Sequence, residues 1–287
     1  MALLVISATI APMPRAAARR QKIRQHGSAL LATFRYLSRS EAQTFAFSVA
    51  ANAILSFFPF MIVLITLIRR VLHSQGMYSA LVQVLRDYIP SGQEAVIQNL
   101  NALVAARKQV QIGSLVLLLV TAKGVFMPLE VALNRIWGFA KGRSWLHNQL
   151  VGTALAFLCG ALALFSIAMT AGNQYLLLQM FSKRGLVLRW GTFVIMKIFA
   201  IAASVTIFLL IYRLLPNGRI FTRQVLPAAI VCGMLWELLK YVYIAALPQL
   251  SFHETYGIFA LPVTMIFWAY LSGMLLLGGA FMSAQRR

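Results

Sequence analysis

Long apolar windows constrain this chain more than any other feature. They cover residues 45–68, 112–134, 149–171, 190–213, 224–246 and 257–282, and each is about as long as the ~20 residues a helix needs to cross a hydrocarbon core. Strand-type alternation is absent, and the windows are too long for barrel strands. Backbone groups in hydrocarbon must be satisfied within the segment, so the expected fold class is all-α, a polytopic membrane bundle of six transmembrane helices. Composition agrees: of 287 residues, 60% are hydrophobic and only 11% charged, with a mean hydropathy of +0.78, too apolar for a water-soluble domain of this length.

The expected organisation is a basic amino-terminal segment, residues 1–44, followed by the membrane domain, residues 45–287, which includes a helical outer loop at 69–111. Residues 1–11 look like a short apolar extension without the basic start of a signal peptide, and Met13 is a second candidate start. Residues 28–44 place Leu30, Leu31, Phe34 and Leu37 at helical spacing, which suits an amphipathic helix in the inner interface leading directly into the first span. Pro59 is expected to kink that span. In the outer loop, Leu81, Leu85 and Tyr88 share one helical face. Ser91 and Glu94 form a capping box for a second helix striped by Val96, Leu100 and Leu103. Gly152, Ala156 and Gly160 give the third span a small-residue face for close helix approach, and Ala269 with Gly273 does the same in the last.

A net charge of +20 in a membrane protein is first a matter of sidedness. Lys and Arg favour the cytoplasmic side. With both termini inside, Arg15, Arg19, Arg20, Lys22, Arg24, Arg35 and Arg39 precede the first span. Arg135, Lys141 and Arg143, then Arg213, Arg219 and Arg223, and finally Arg286 and Arg287 fall on the same side. The outer side receives fewer, with Arg69 and Arg70 opposing the trend. No nucleic-acid partner is expected; the basic segment is a topology signal that also suits anionic lipid headgroups.

Enzyme chemistry is not expected. The chain holds a single Asp, Asp87, and its four histidines fall in separate segments. No HExxH, P-loop or GxSxG motif is present, and no metal or cofactor is implied. Adjacent His253 and Glu254 read as loop residues. Cys159 and Cys232 read as small core residues.

The charges inside the windows are the candidate functional residues. An ionisable group near the bilayer centre costs at least ~2.5–3.5 kcal/mol, so each needs a partner, water or a function. Lys123, Met127, Glu130 and Asn134 fall within about 60° on a helical wheel, and Pro128 interrupts the same stripe. The fifth window places Glu237 near the centre with Lys240 one turn on, and Lys197 reaches a similar depth in the fourth. Glu237 is expected to pair with Lys123 or Lys240. Two accounts of the surplus positive charge stand side by side: lysines that extend to the interface around a structural pair, or a cationic cavity for an anion such as a lipid phosphate.

Several stretches in order along the chain resemble the YihY/BrkB membrane proteins, historically labelled ribonuclease BN. These are ANAILSFFPF, VALNRIWG, LLPNGRI, LPAAIVCGMLWELLK, TYG and WAYLSGMLLLGGA. The resemblance implies a bacterial inner-membrane protein with six spans and both termini cytoplasmic, tied to the cell envelope. Asn134, Arg135, Trp137 and Gly138 match the family motif after the second span, and Trp236, Glu237 and Lys240 that of the fifth. The chain departs at Ala51 and Asn52, where aromatic residues are usual, and at Phe281, where an acidic residue is common. The expected function is a transporter or flippase of an anionic amphiphile or lipid, with Lys123, Glu237, Lys240, Lys197, Glu130, Asn134 and Arg135 as candidate binding residues. The competing expectation is a non-transporting scaffold or envelope-assembly factor. Ribonuclease activity is not expected, since lysines in an apolar bundle do not make a metal-dependent nuclease. Substrate identity and oligomeric state are not legible.

Overall fold

A computed structural model of the chain describes residues 30–88, 93–105, 108–139, 145–180, 186–250 and 252–285. Helix α1 covers residues 30–37, α2 Ser40–Thr66 with a π-helical turn at Leu67–Val71, α3 Gln75–Tyr88 and α4 Gln93–Ala105. Then follow α5 Lys108–Trp137, α6 Trp145–Met180, α7 Leu186–Leu214, α8 Thr222–Ala246, the short α9 Phe252–Tyr256 and α10 Ala260–Ala284. No strand occurs among the described residues.

Among those residues, five helices are long and apolar enough to cross a membrane: Ser40–Val71, Leu150–Met169, Lys197–Leu214, Thr222–Ala246 and Ala260–Ala284. Helix α5, expected as the second span, is 30 residues long, which corresponds to ~45 Å, but it is not one of the five. The first span also starts earlier than its apolar window, at Ser40, because Arg39 is extended (φ −75°, ψ 141°) and separates it from α1. The expected unbroken run from the interfacial helix into the span is therefore replaced by two helices joined at a turn. Pro59 and Pro128 both lie inside uninterrupted helices.

Helix α2 packs along α5 and α10, α7 along α8, and α8 against α10, while α6 joins α5, α7 and the outer helix α3. The closest approaches occur at glycines. A Cβ on Gly273 would stand 3.3 Å from the Ala46 Cα of α2, and one on Gly124 would overlap the Asn52 side chain. Gly273 thus meets a helix backbone as expected, while Ala269 lines an apolar cavity. On α6, Gly152 and Gly160 meet the Phe126 and Phe60 side chains at ordinary contact distance, and Ala156 and Gly160 line a second apolar cavity of about 250 Å³.

Helices α3 and α4 close a second core, in which Leu81, Leu85, Val96, Ile97 and Leu100 pack with Ile62, Ile65 and Ile68 of the first span and its π-turn. Leu103, expected in the stripe, is exposed, and Val104 is buried instead. Tyr78 Oη donates to Asn101 Oδ1 at 2.8 Å, and Arg70 donates to the Val104 carbonyl at 3.1 Å. Ser91 of the expected capping box lies outside the described residues. Glu94 pairs with Arg86 at 3.3 Å.

Three helices converge at Gly279. Tyr212 of α7 is fully buried and donates to the Leu276 carbonyl at 2.9 Å, with Cys232 of α8 at 3.4 Å from its oxygen. A Cβ on Gly279 would sit 2.1 Å from the Cys232 sulfur and 2.4 Å from the phenol oxygen. Gly279→Val is therefore expected to destabilise the folded protein by about 1–3 kcal/mol through overpacking. Gly113→Ala, at a position open on all sides, is expected not to destabilise it. Thermal unfolding in detergent micelles distinguishes the two outcomes.

Candidate functional site

Several hydroxyls inside these helices bond to their own helix. Thr44, Ser56, Thr206, Thr264 and Ser272 each donate to the carbonyl four residues back, a local bond that needs no tertiary partner. Ser204 behaves differently: its hydroxyl crosses from α7 to α8 and donates to Glu237 Oε1 at 2.9 Å. The sequence makes the crossing short by placing Gly233 one turn before Glu237. A Cβ there would lie 2.9 Å from the Val205 backbone nitrogen, so its absence lets α7 close onto α8.

Glu237 is buried at 6% exposure, about 22 Å along α8 from its start at ~1.5 Å per residue. Lys240 Nζ donates to Oε1 at 2.5 Å. Lys197 Nζ lies 3.9 Å from Oε2, which accepts no hydrogen bond from the described residues. The Lys197 ammonium also sits 4.4 Å from the centroid of the Tyr241 ring, a cation–π contact. One carboxylate thus faces two ammoniums between two apolar helices, leaving the cluster with surplus positive charge. Trp236, packed on Phe208 and Trp268, walls its α10 side.

The seven residues singled out from sequence do not form one site. Glu237, Lys240 and Lys197 come together. Asn134 and Arg135 lie instead at the opposite end of the bundle. There the Asn134 Oδ1 accepts the Asn217 backbone N–H at 2.7 Å, and Arg135 pairs with Glu41 at the start of α2. Glu130 is half-buried one turn before Asn134 on α5. The Lys123 backbone lies within α5, and its side chain is outside the described residues. Glu237 thus takes Lys240 of its own helix, one of its two expected partners, and adds Lys197. Ser204 and Tyr241 are the members that sequence reading missed. A hydroxyl in an apolar window signals nothing by itself, because such a group can equally turn back on its own helix.

At the Arg135 end, Tyr36 of α1 stacks on Phe281 of α10 with ring centroids 4.4 Å apart. Burial, reinforced by the nearby Glu41 carboxylate, pushes the Tyr36 phenol up to about 12. Phe281, where the resemblance led to the expectation of an acid, instead makes a ring contact.

The Virulence factor BrkB family matches residues 33–287. The chain belongs to the BrkB family. Among its relatives, a UPF0761 membrane protein of Glaesserella parasuis is 30% identical over 204 residues, covering 70% of each chain. One from Chromohalobacter salexigens is 26% identical over 79% of this chain and 55% of its own. One from Pseudomonas aeruginosa is 28% identical over 69% and 47%. The chain therefore spans about half the length of the last two. No solved structure matches. Membership, together with the apolar helices, makes this a membrane protein of the BrkB family.

Removing one member of a buried ion pair strands the other charge and typically costs about 3–5 kcal/mol, whereas replacing both with apolar groups is often neutral. Glu237→Leu is expected to destabilise by that order, and Glu237→Leu with Lys240→Leu to recover most of the loss in chemical unfolding in micelles. Arg135→Gln removes an exposed pair and is expected to cost less than about 1 kcal/mol. Equal losses in the single and double variants at 237 and 240 would refute the pairing as the source.

Proposed function

We propose that the chain is a multi-pass inner-membrane protein that moves an anionic amphiphile, such as a lipid or lipid precursor, across or out of the bilayer in service of the cell envelope. The observation that supports this reading is the Glu237, Lys240 and Lys197 cluster: surplus positive charge inside an apolar bundle, with a carboxylate oxygen that accepts no hydrogen bond from the described residues. Charges in such places are costly and mark substrate or ion pathways. Lys123, by its place in the sequence, adds a further cation on α5 to this reading. Glu130, Asn134 and Arg135 mark the cytoplasmic end of the route.

In this reading α5 is the second of six spans and both termini are cytoplasmic. Single cysteines test it in a chain with Cys159 and Cys232 replaced by alanine. Asn99→Cys is expected to react with an impermeant maleimide in intact cells, and Gln285→Cys only after the inner membrane is opened. The reverse pattern inverts the topology.

The alternative is a non-transporting scaffold, favoured by the completeness of the Ser204, Glu237 and Lys240 contacts across α7 and α8. Vesicles separate the two. Wild-type protein is expected to expose inner-leaflet fluorescent phosphatidylglycerol to dithionite faster than protein-free vesicles, and Lys240→Met to abolish the gain. If wild-type vesicles match protein-free ones for anionic lipids generally, the scaffold reading replaces transport.

A further inference from the structure

The two ammoniums that face Glu237 are not held alike. Lys240 makes a charge-assisted hydrogen bond at 2.5 Å, and Ser204 a second bond to the same oxygen at 2.9 Å. Lys197 approaches the other oxygen only to 3.9 Å, beyond hydrogen-bond reach, and donates no hydrogen bond among the described residues. An ammonium has three donors, and its contact with the Tyr241 ring satisfies none of them by a lone pair. The Lys197 side chain is 33% exposed and Tyr241 is 51% exposed, so this cation opens to the outside of the α7–α8 pair.

What surrounds that opening decides what reaches it. Val194 and Ile198 flank Lys197 on α7, and Leu238 lies one turn before Tyr241 on α8; all three are exposed. These are the surfaces that acyl chains cover in a bilayer. An anion that arrives through them is one attached to hydrocarbon, since a free ion from water has no acyl chains to match.

We infer that Lys197 is the headgroup-binding arm of a lateral lipid site between α7 and α8: the phosphate of an anionic phospholipid accepts the Lys197 donors that Glu237 leaves unused, while Lys240 and Ser204 keep the carboxylate in place. The exposed face of Tyr241 holds the ammonium when no phosphate is bound. The inference rests on the reading of α7 and α8 as membrane spans with an anion site between them. It adds to that reading a substrate class, a side of entry and a division of labour between the two lysines.

The test uses the purified full chain and native mass spectrometry with phosphatidylglycerol and phosphatidylcholine supplied in equal amounts. The wild type is expected to retain phosphatidylglycerol preferentially. Loss of a hydrogen bond to a charged group corresponds to about a tenfold drop in retention, expected for Lys197→Met. Lys197→Arg is expected to preserve the preference, Tyr241→Leu to weaken it, and excess inorganic phosphate not to displace the lipid. Folding of each variant is checked by gel filtration and circular dichroism. Should Lys197→Met not fold, the Lys197→Arg and Tyr241→Leu pair decides. Unchanged retention in a folded Lys197→Met, equal retention of both lipids by the wild type, or displacement by inorganic phosphate overturns the site. Retention that depends on Lys197 without lipid movement in vesicles defeats the transport reading and leaves the site standing. Movement with retention indifferent to Lys197 does the opposite.

Discussion

A carboxylate placed between two apolar helices has few ways to exist, and the α7–α8 pair is arranged around those few. Glu237 is buried, and desolvating it unpaired costs several kcal/mol. Its oxygen Oε1 therefore collects the nearest donors, one from its own helix through Lys240 and one from the neighbour through Ser204. The neighbour is near enough only because Gly233 has no side chain to hold Val205 away. The position of one acid thus depends on the absence of a methyl group one turn earlier. Since Ser204 and Lys240 both serve Oε1, Oε2 and Lys197 remain as the loosely coupled half of the cluster, where exchange with an outside anion is cheapest.

The rest of the bundle follows the same economy of polar groups. Helices satisfy their own backbones, and hydroxyls such as those of Thr44, Ser56, Thr264 and Ser272 return to carbonyls in the preceding turn. Contact between helices then falls to shape: Gly273 against Ala46, Gly124 against Asn52, and Gly279 under the Tyr212 and Cys232 side chains. The paired outer helices α3 and α4 obey water-soluble rules instead, with a buried stripe against the first span and ion pairs such as Arg86 with Glu94 on their exposed faces.

Most of the element plan was legible from composition and periodicity, because the length of an apolar run is a direct measure of a span and needs no knowledge of neighbours. Boundaries were less so: the break at Arg39 depends on a backbone dihedral that no hydropathy window senses. The stripe on α4 was misread by one position, with Val104 rather than Leu103 facing inward, since two adjacent apolar residues fit the helical period almost equally and only the facing helix chooses between them. The small-residue face on α6 promised a helix backbone and received phenylalanine side chains.

What the sequence by itself determined is that this chain is a helical membrane protein of the BrkB family and that Glu237 must find a cation. A carboxylate in an apolar run makes that demand wherever the run lies. Which cation answers was decided only by tertiary structure. Lys240 is one turn away along α8, but Lys197, Ser204 and Tyr241 meet the site through the packing of α7 on α8. Helix α5, packed along α2, carries Asn134 and Arg135 away from that cluster, against Asn217 and Glu41. Sequence spacing fixes which residues share a face of one helix; it does not say which helix that face will meet.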